Sequence, residues 1–276
     1  MQSLLAPLLQ VWLAAAVIMA VVWWIQRRTR NAGYVDVAWA ALLGAAALYY
    51  GAIAEGALVP RLLVAVLAAA WGFRLALHLL HRVLNETEDG RYAHLRQHWG
   101  GHQGKFFAFF QAQALAVALF SLPFLVAASN PVEDFSLWSA LGIVLWFASL
   151  AGESIADLQL ARYRADPRNR GKTCRSGLWR YSRHPNYFFE WLHWFAYVLL
   201  AIGAPNAWLA LIGPALMLVS LCWVSGIPFV EAQALRSRGD DYREYQRTTS
   251  VLVPWPPKSG EKENGKRKKG EPPKSR

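Results

Sequence analysis

The chain has 276 residues, 55% of them hydrophobic and 17% charged, with 14 Trp and a mean hydropathy of +0.18. That balance excludes an ordinary soluble domain and points to a polytopic membrane protein. The net charge of +11 is no nucleic-acid signature: from Lys258 onward, eight Lys or Arg against three Glu supply +5 of it, in a tail without an apolar face that is expected to be disordered and drawn to anionic lipid.

Seven apolar stretches run over 4–25, 36–54, 58–80, 106–128, 136–156, 187–204 and 207–230, each near the roughly 20 residues that cross a bilayer core. None alternates like a barrel strand, so the expected fold class is all-α, a seven-transmembrane-helix bundle over 1–257. The first stretch lacks a basic leader and a small-residue cleavage pattern, and reads as a retained span. Arg27, Arg28 and Arg30 follow it, Arg82, Arg91, Arg96 and Lys105 follow the third, and eight more cations from Arg162 to Arg183 follow the fifth. The other loops carry Glu55, Arg61, Glu133, Asp134 and little else. By the positive-inside bias the N-terminus lies outside and the C-terminus in the cytoplasm, most simply across a bacterial inner membrane.

Cys174 and Cys222 are the only cysteines, and His78, His81, His94, His98 and His102 are scattered, so neither a disulfide framework nor a metal site is expected. The later spans are more informative. Glu153, Asp157 and Arg164 share a helical face, and so do Asn186, Glu190, His193 and Tyr197 in the next span. Such stripes serve either as polar glue between helices or as pocket walls. Two that converge favour a pocket, and Arg180, Arg183 and His184 just before the second favour an anionic occupant. Ser225-Gly226-Ile227-Pro228 should kink the last span ahead of Glu231. Beyond it, Asp240 to Thr249 reads as a short cytoplasmic helix ending before Pro254-Trp255-Pro256-Pro257.

Arg183-His184-Pro185-Asn186-Tyr187 with Glu190, then Glu231 and Tyr242-Arg243-Glu244-Tyr245, resembles the C-terminal half of the steroid 5α-reductase family and its bacterial relatives over Glu153 to Pro254. Sterol reductases and isoprenylcysteine carboxyl methyltransferases are similar over the same half. The resemblance implies a membrane reductase using NADPH, with substrate-side helices in 1–105 and a cofactor-binding half in 136–255. It implies a cofactor pocket built on Asp157, Arg164, Tyr181, Asn186 and Glu190. Lys172, Arg175 and Arg183 would join Arg164 around phosphate, and Trp179, His184, Tyr187, Glu231, Tyr242 and Tyr245 complete the cofactor set. No Gly-x-Gly-x-x-Gly follows a strand, so NADPH would bind between helices.

The N-terminal half departs from that family, whose Gln-Glu pair and Tyr hold the substrate ketone. Here Val35-Asp36 stands in place of the pair, and Trp71 in place of the Tyr if Arg74 anchors that helix. A protonated Asp36 in an apolar pocket could donate to an oxyanion, and Tyr92, in a loop, is the other available phenol. The expected catalytic set is therefore Asp36, Trp71 and Tyr92, reducing a conjugated double bond in a lipophilic substrate that enters a monomer from the bilayer. A methyltransferase using S-adenosylmethionine is the rival, disfavoured by the four-residue spacing of Asn186 and Glu190. A transporter would need paired broken helices or repeats, which the chain lacks.

Overall fold

The computed structural model describes residues 4–224 and 226–258. Ser225, in the expected kink, and the basic tail from residue 259, expected to be disordered, lie outside the described residues. The chain is all-helical, with no strand among the described residues and a single bridge between Ser182 and Ser250. Its helices are α1 (Leu5–Thr29), α2 (Tyr34–Ile53), α3 (Leu58–Asn85), α4 (Gly90–His98), α5 (Gln103–Ala128), α6 (Leu137–Ala165), α7 (Pro185–Leu200), α8 (Ile212–Val219), α9 (Ile227–Arg238) and α10 (Asp240–Thr248).

Six segments are long and apolar enough to cross a membrane: α1, α2, α3, α5, α6 and the composite Ala207–Arg238. The remaining expected span, 187–204, is the 16-residue α7, roughly 24 Å long at 1.5 Å per residue against a bilayer core of about 30 Å. A local clamp sets its end. Asn130 Nδ2 donates to the carbonyls of Leu200 (3.0 Å) and Ile202 (2.9 Å), and Gly203 turns the chain at φ 103° with no room for a side chain against Asn130 and Val132.

α2 packs along α3, α6 along α7 and α1 along α5. With no hydrophobic drive between helices in lipid, close approach falls to small residues. A Cβ on Gly72 would sit 2.8 Å from the Ala40 carbonyl oxygen and 2.8 Å from the Gly44 nitrogen, so α3 rests directly on the α2 backbone there. At the basic end, Glu88 Oε1 accepts from the Ala32 amide (2.8 Å) and from Arg96 (2.7 Å), and Gln26 Nε2 donates to Gln103 Oε1 (2.8 Å). These bonds join the α1–α2 turn to α4 and the start of α5.

The helix α4 stands where the sequence suggests a loop. Asp89 caps it by accepting from the Arg91 amide at 2.9 Å, so Tyr92 lies on a helix and is buried. The last span is broken, as the Gly-Ile-Pro run suggests: a 3-10 turn (Ala207–Leu211), α8, a π turn (Ser220–Val224) and α9 follow one another.

Gly72→Ala should lower stability in detergent by about 1–3 kcal/mol, because backbone atoms of α2 cannot give way. Gly44→Ala meets only the edge of the Phe73 ring at 3.3 Å and should be milder. Equal thermal melting of the two variants would show that this crossing is not the tight one.

Candidate active site

Asp157 on α6 and Asn186 in the first turn of α7 meet across the helix pair, with Asn186 Nδ2 donating to Asp157 Oδ1 at 3.0 Å. The Asn186 Oδ1 accepts from the Tyr187 amide, and the Tyr187 ring stacks on His184 at 5.4 Å. Trp179 Nε1 donates to the Ala156 carbonyl, fixing the 177–180 turn against α6. These residues wall a cavity of about 560 Å³ together with Arg82, Arg164, Gln233, Arg238, Tyr242 and Tyr245. Arg82, Arg164 and Arg238 are its cations beside Arg183, and among the described residues no carboxylate lies within ion-pair distance of Arg164 or Arg238.

A second cavity of about 620 Å³ adjoins it, sharing Arg82, Asn186, Tyr187, Val230 and Gln233. Its far walls carry Glu190, Glu153, Asp89 and Arg91. Glu153 pairs with Arg74 at 3.4 Å. Thus the two stripes seen in the sequence do converge, with Asp157 and Arg164 on the first cavity, Glu153 and Glu190 on the second, and Asn186 on both.

A third cavity, of about 600 Å³, shares Arg91, Leu221 and Phe229 with the second but is mainly apolar, lined by Trp39, Trp99, Phe109, Phe120 and Met217. At its polar margin stand Asp36 and Tyr92. Tyr92 donates its hydroxyl to Asp36 Oδ1 at 2.6 Å, and Arg91 Nη2 donates to Asp36 Oδ2 at 3.2 Å. Arg91 also holds Asp89 at 3.1 Å. Burial, then the charge of Asp36, push the Tyr92 phenol well above its ordinary 10.0, so it is neutral at any working pH. Asp89 is held below the ordinary 3.8: burial raises it, but the Arg91 hydrogen bonds and charge outweigh burial.

Several residues expected around a cofactor are occupied elsewhere. Glu231 accepts from Arg183 Nε (2.6 Å), from the Tyr242 hydroxyl (3.2 Å) and from Gln246 (2.8 Å), and lies 3.2 Å from His184 Nε2. Arg183 also donates to the carbonyls of Gln246 and Thr249, and Tyr245 donates to those of Trp179 and Ser182. This clamp binds α9 and α10 to the start of α7. Only the faces of Arg183, His184, Tyr242 and Tyr245 remain toward the first cavity. Three further expected residues stand apart from the cavities. Arg175 is taken by Asp241 (2.9 Å) and Glu244 (3.2 Å), Lys172 is exposed and lines none of the three, and Tyr181 is 42% exposed, its carbonyl accepting from the Trp255 amide and its amide donating to the Leu178 carbonyl.

Trp71 is fully buried, stacked on His193 at 5.1 Å, and separated from the apolar cavity by Trp39. Other contributors escape a reading of the sequence. Arg82 reads there only as an orientation signal and Arg238 carries no signal at all, yet both face the first cavity. Arg91 reads as an orientation signal, yet it borders two cavities and holds Asp36.

A multi-helix membrane protein with a cationic cavity leading through a carboxylate-lined one to an apolar one is the class that this fold and site define. The chain belongs to the family described as a protein of unknown function (DUF1295), which matches residues 22–249. That family is part of the steroid 5α-reductase membrane superfamily. No curated protein and no solved structure matches the chain.

Glu231→Ala should strand Arg183, which is 8% exposed, and destabilise the α9–α10 clamp by about 3–5 kcal/mol. The check is thermal melting with limited proteolysis, where new cuts should fall first between α9 and the end of α10. A melting temperature equal to that of the unaltered protein would mean that the clamp does not hold the C-terminal helices.

Proposed function

We propose that this protein is an NADPH-dependent reductase of a conjugated carbon–carbon double bond beside a ketone, acting on a 3-oxo-4-ene steroid or a similar isoprenoid or fatty enone. One observation carries the reading: three adjoining cavities run from cationic through carboxylate-lined to apolar, with a phenol–carboxylate pair at the last junction. The dinucleotide fits this donor set. Arg164 and Arg238, with no carboxylate partner among the described residues, and Arg82 would take phosphate oxygens by charge-assisted hydrogen bonds. Asn186 and Glu190 would take the carboxamide and the ribose hydroxyls.

When bound, NADPH supplies a hydride to the β-carbon of the enone, and a proton from solvent completes the α-carbon. The chain's own part is electrostatic. Asp36 accepts from the Tyr92 hydroxyl at Oδ1 and from Arg91 at Oδ2, so both its oxygens are engaged, and the neighbouring hydroxyl of Tyr92 is the group we assign the donor role. The Tyr92 hydroxyl turns from Asp36 to the substrate carbonyl as charge grows there, while Arg91 keeps Asp36 in place. Trp39, Phe109 and Phe120 exclude water from the apolar cavity, which strengthens that hydrogen bond. In the bilayer, α7 makes a seventh, shortened crossing, and the basic end of this monomer faces the cytoplasm of a bacterial inner membrane, so that substrate arrives from lipid and cofactor from solution.

The test is binding and turnover with purified protein in detergent. NADPH should bind about tenfold or more tightly than NADH, the scale of one charge-assisted phosphate contact, and be oxidised when a 4-en-3-oxosteroid is added. Arg164→Gln and Arg238→Gln should each narrow the gap between the dinucleotides. Tighter binding of S-adenosylmethionine than of either dinucleotide would overturn the reading in favour of methyl transfer.

Tyr92→Phe should leave NADPH affinity nearly unchanged and cut turnover by about 10²-fold or more, the usual scale for one oxyanion donor. Asp36→Leu should do the same by releasing Tyr92, and Asp36→Asn should be milder. Unchanged turnover in Tyr92→Phe removes the donor from this mechanism.

A further inference from the structure

Two uncharged polar side chains stand on the wall of the apolar cavity that α5 and the broken last span build. They are Gln113 on α5 and Ser220 at the start of the π turn. Both are half-buried, and among the described residues neither the Gln113 amide nor the Ser220 hydroxyl makes a hydrogen bond. Their neighbours differ. Gln103 is bound to Gln26 and to the Gly101 carbonyl, Gln111 donates to the Ala16 carbonyl on α1 at 3.2 Å, and Ser121 donates to the Ala118 carbonyl of its own helix. Gln113 also lies on the cavity face of α5, at helical spacing from Phe109, Ala116 and Phe120, which line the same space. The lipid face of that helix carries Ala112 and Leu115, both exposed.

The two groups come from neighbouring helices at nearly the same depth. α5 leads away from the basic end and the last span returns to it, and they touch where a Cβ on Gly213 would stand 2.8 Å from the Pro123 side chain. Seven residues from that contact along each helix stand Ala116 and Ser220. Gln113 is one turn beyond Ala116, about 4.5 Å by helical rise, so an amide and a hydroxyl can reach one ligand atom between them. At bilayer depth a bare amide is costly, and a wall meant only to exclude water would carry Leu there. Each group can both donate and accept. The cavity's charged residues, Asp36 and Arg91, pair with each other, and His94 is exposed and stacked on His98. The matching ligand group is therefore an uncharged oxygen, a ketone or a hydroxyl. At about 600 Å³ the space falls among small-molecule pockets of roughly 300–1,000 Å³.

We propose that Gln113 and Ser220 form a second polar subsite of the apolar cavity, which holds a keto or hydroxyl oxygen of the lipophilic substrate other than the carbonyl that meets Tyr92. The substrate is then a lipid oxygenated at two places, not an enone whose remainder is plain hydrocarbon. Selection works through what a poorer ligand leaves behind. A molecule without the second oxygen fills the cavity but strands the amide and the hydroxyl in apolar surroundings, and a site built to bond such an oxygen rejects the analogue that lacks it. The inference rests on the reading that this cavity takes the substrate, and needs neither NADPH nor hydride transfer.

The experiment uses full-length protein in lipid nanodiscs, without cofactor, and two tritiated 4-en-3-oxosteroids, one with a ketone on the ring farthest from the enone and one with a methylene there. Binding is corrected for uptake by empty nanodiscs. The diketone should bind about tenfold or more tightly than its deoxy analogue. Gln113→Leu should abolish that preference by weakening the diketone while the deoxy probe binds as before, and Ser220→Ala should narrow it. Gln111→Leu, which loses a bond to α1 instead, should lower the melting temperature and keep the preference. Equal binding of the two probes by the unaltered protein, or binding of neither, overturns the proposal, and so does a preference that persists in Gln113→Leu. Should Gln113→Leu fail to fold, an undiminished preference in Ser220→Ala overturns it equally. A protein that prefers the diketone but oxidises no NADPH fails the reductase reading alone, whereas one that reduces both probes and binds them equally fails this proposal alone.

Discussion

Arg91 holds Asp36 with one arm and Asp89 with the other, and the whole candidate site is arranged around that double contact. A half-buried guanidinium is stabilised by carboxylate partners and a half-buried carboxylate on α2 by a cation, so each makes the other tolerable. The pairing fixes α4 across the end of α2 and brings Tyr92, the next residue, against Asp36. It also draws the boundary between the cavities, since Arg91 lines both the polar and the apolar one. Without it, Asp36 would be an acidic residue near a helix start, and Tyr92 a buried phenol with no defined neighbour.

Six of the seven expected spans and both polar stripes were legible because helical period and hydropathy are local properties of sequence. Glu153, Asp157, Glu190 and Asn186 could be placed on facing surfaces for the same reason, and the break in the last span followed from Gly226 and Pro228. Cation roles were not legible. Arg164, Arg175 and Arg183 read alike in one basic loop. Their fates diverge because Asp241 and Glu244 arrive from α10 to take Arg175 and Glu231 arrives from α9 to take Arg183, 66 and 48 residues further along the chain. Arg164 keeps its charge for the cavity because no carboxylate among the described residues reaches it. Of these three arginines only the one that the fold leaves unpaired keeps its charge free for the cavity, and long-range contacts decide which one that is. The helix α4 is hidden in the sequence for a related reason: its residues, Gly90 to His98, have no apolar stripe, and its place is secured by Asp89, Glu88 and Arg91 contacts with other elements.

The clamp around Glu231 and the pair around Arg91 solve the same problem at opposite sides of the polar cavities. Each holds a guanidinium, buried for Arg183 and half-buried for Arg91, against a carboxylate that also accepts a tyrosine hydroxyl, which gives the polar atoms directed partners. They differ in what remains to be satisfied. Arg183 also spends Nη1 on the carbonyls of Gln246 and Thr249, so that network is tied to the backbone as well as to Glu231. Arg91 and Tyr92 border open cavities, so theirs can change partners when something enters. Chemistry belongs with the open network and rigidity with the tied one.

The break in the last span fits this division. Leu221 lies in the π turn and Phe229 just beyond Gly226, and these two apolar side chains line both the polar and the apolar cavity. A continuous α-helix from Ile212 to Arg238 would keep its face rotating at about 100° per residue. The wider π turn shifts that phase by the equivalent of about one residue, and Gly226, with no space for a Cβ against the Leu221 carbonyl, lets the following helix start at a new angle. The result is that Val230, Gln233 and Arg238 after the break line the polar cavities, while Met217 before it lines the apolar one. Irregular backbone at this depth is tolerated where it borders a cavity, and here it lies along the partition between the two environments that a lipophilic substrate and an anionic cofactor would each require.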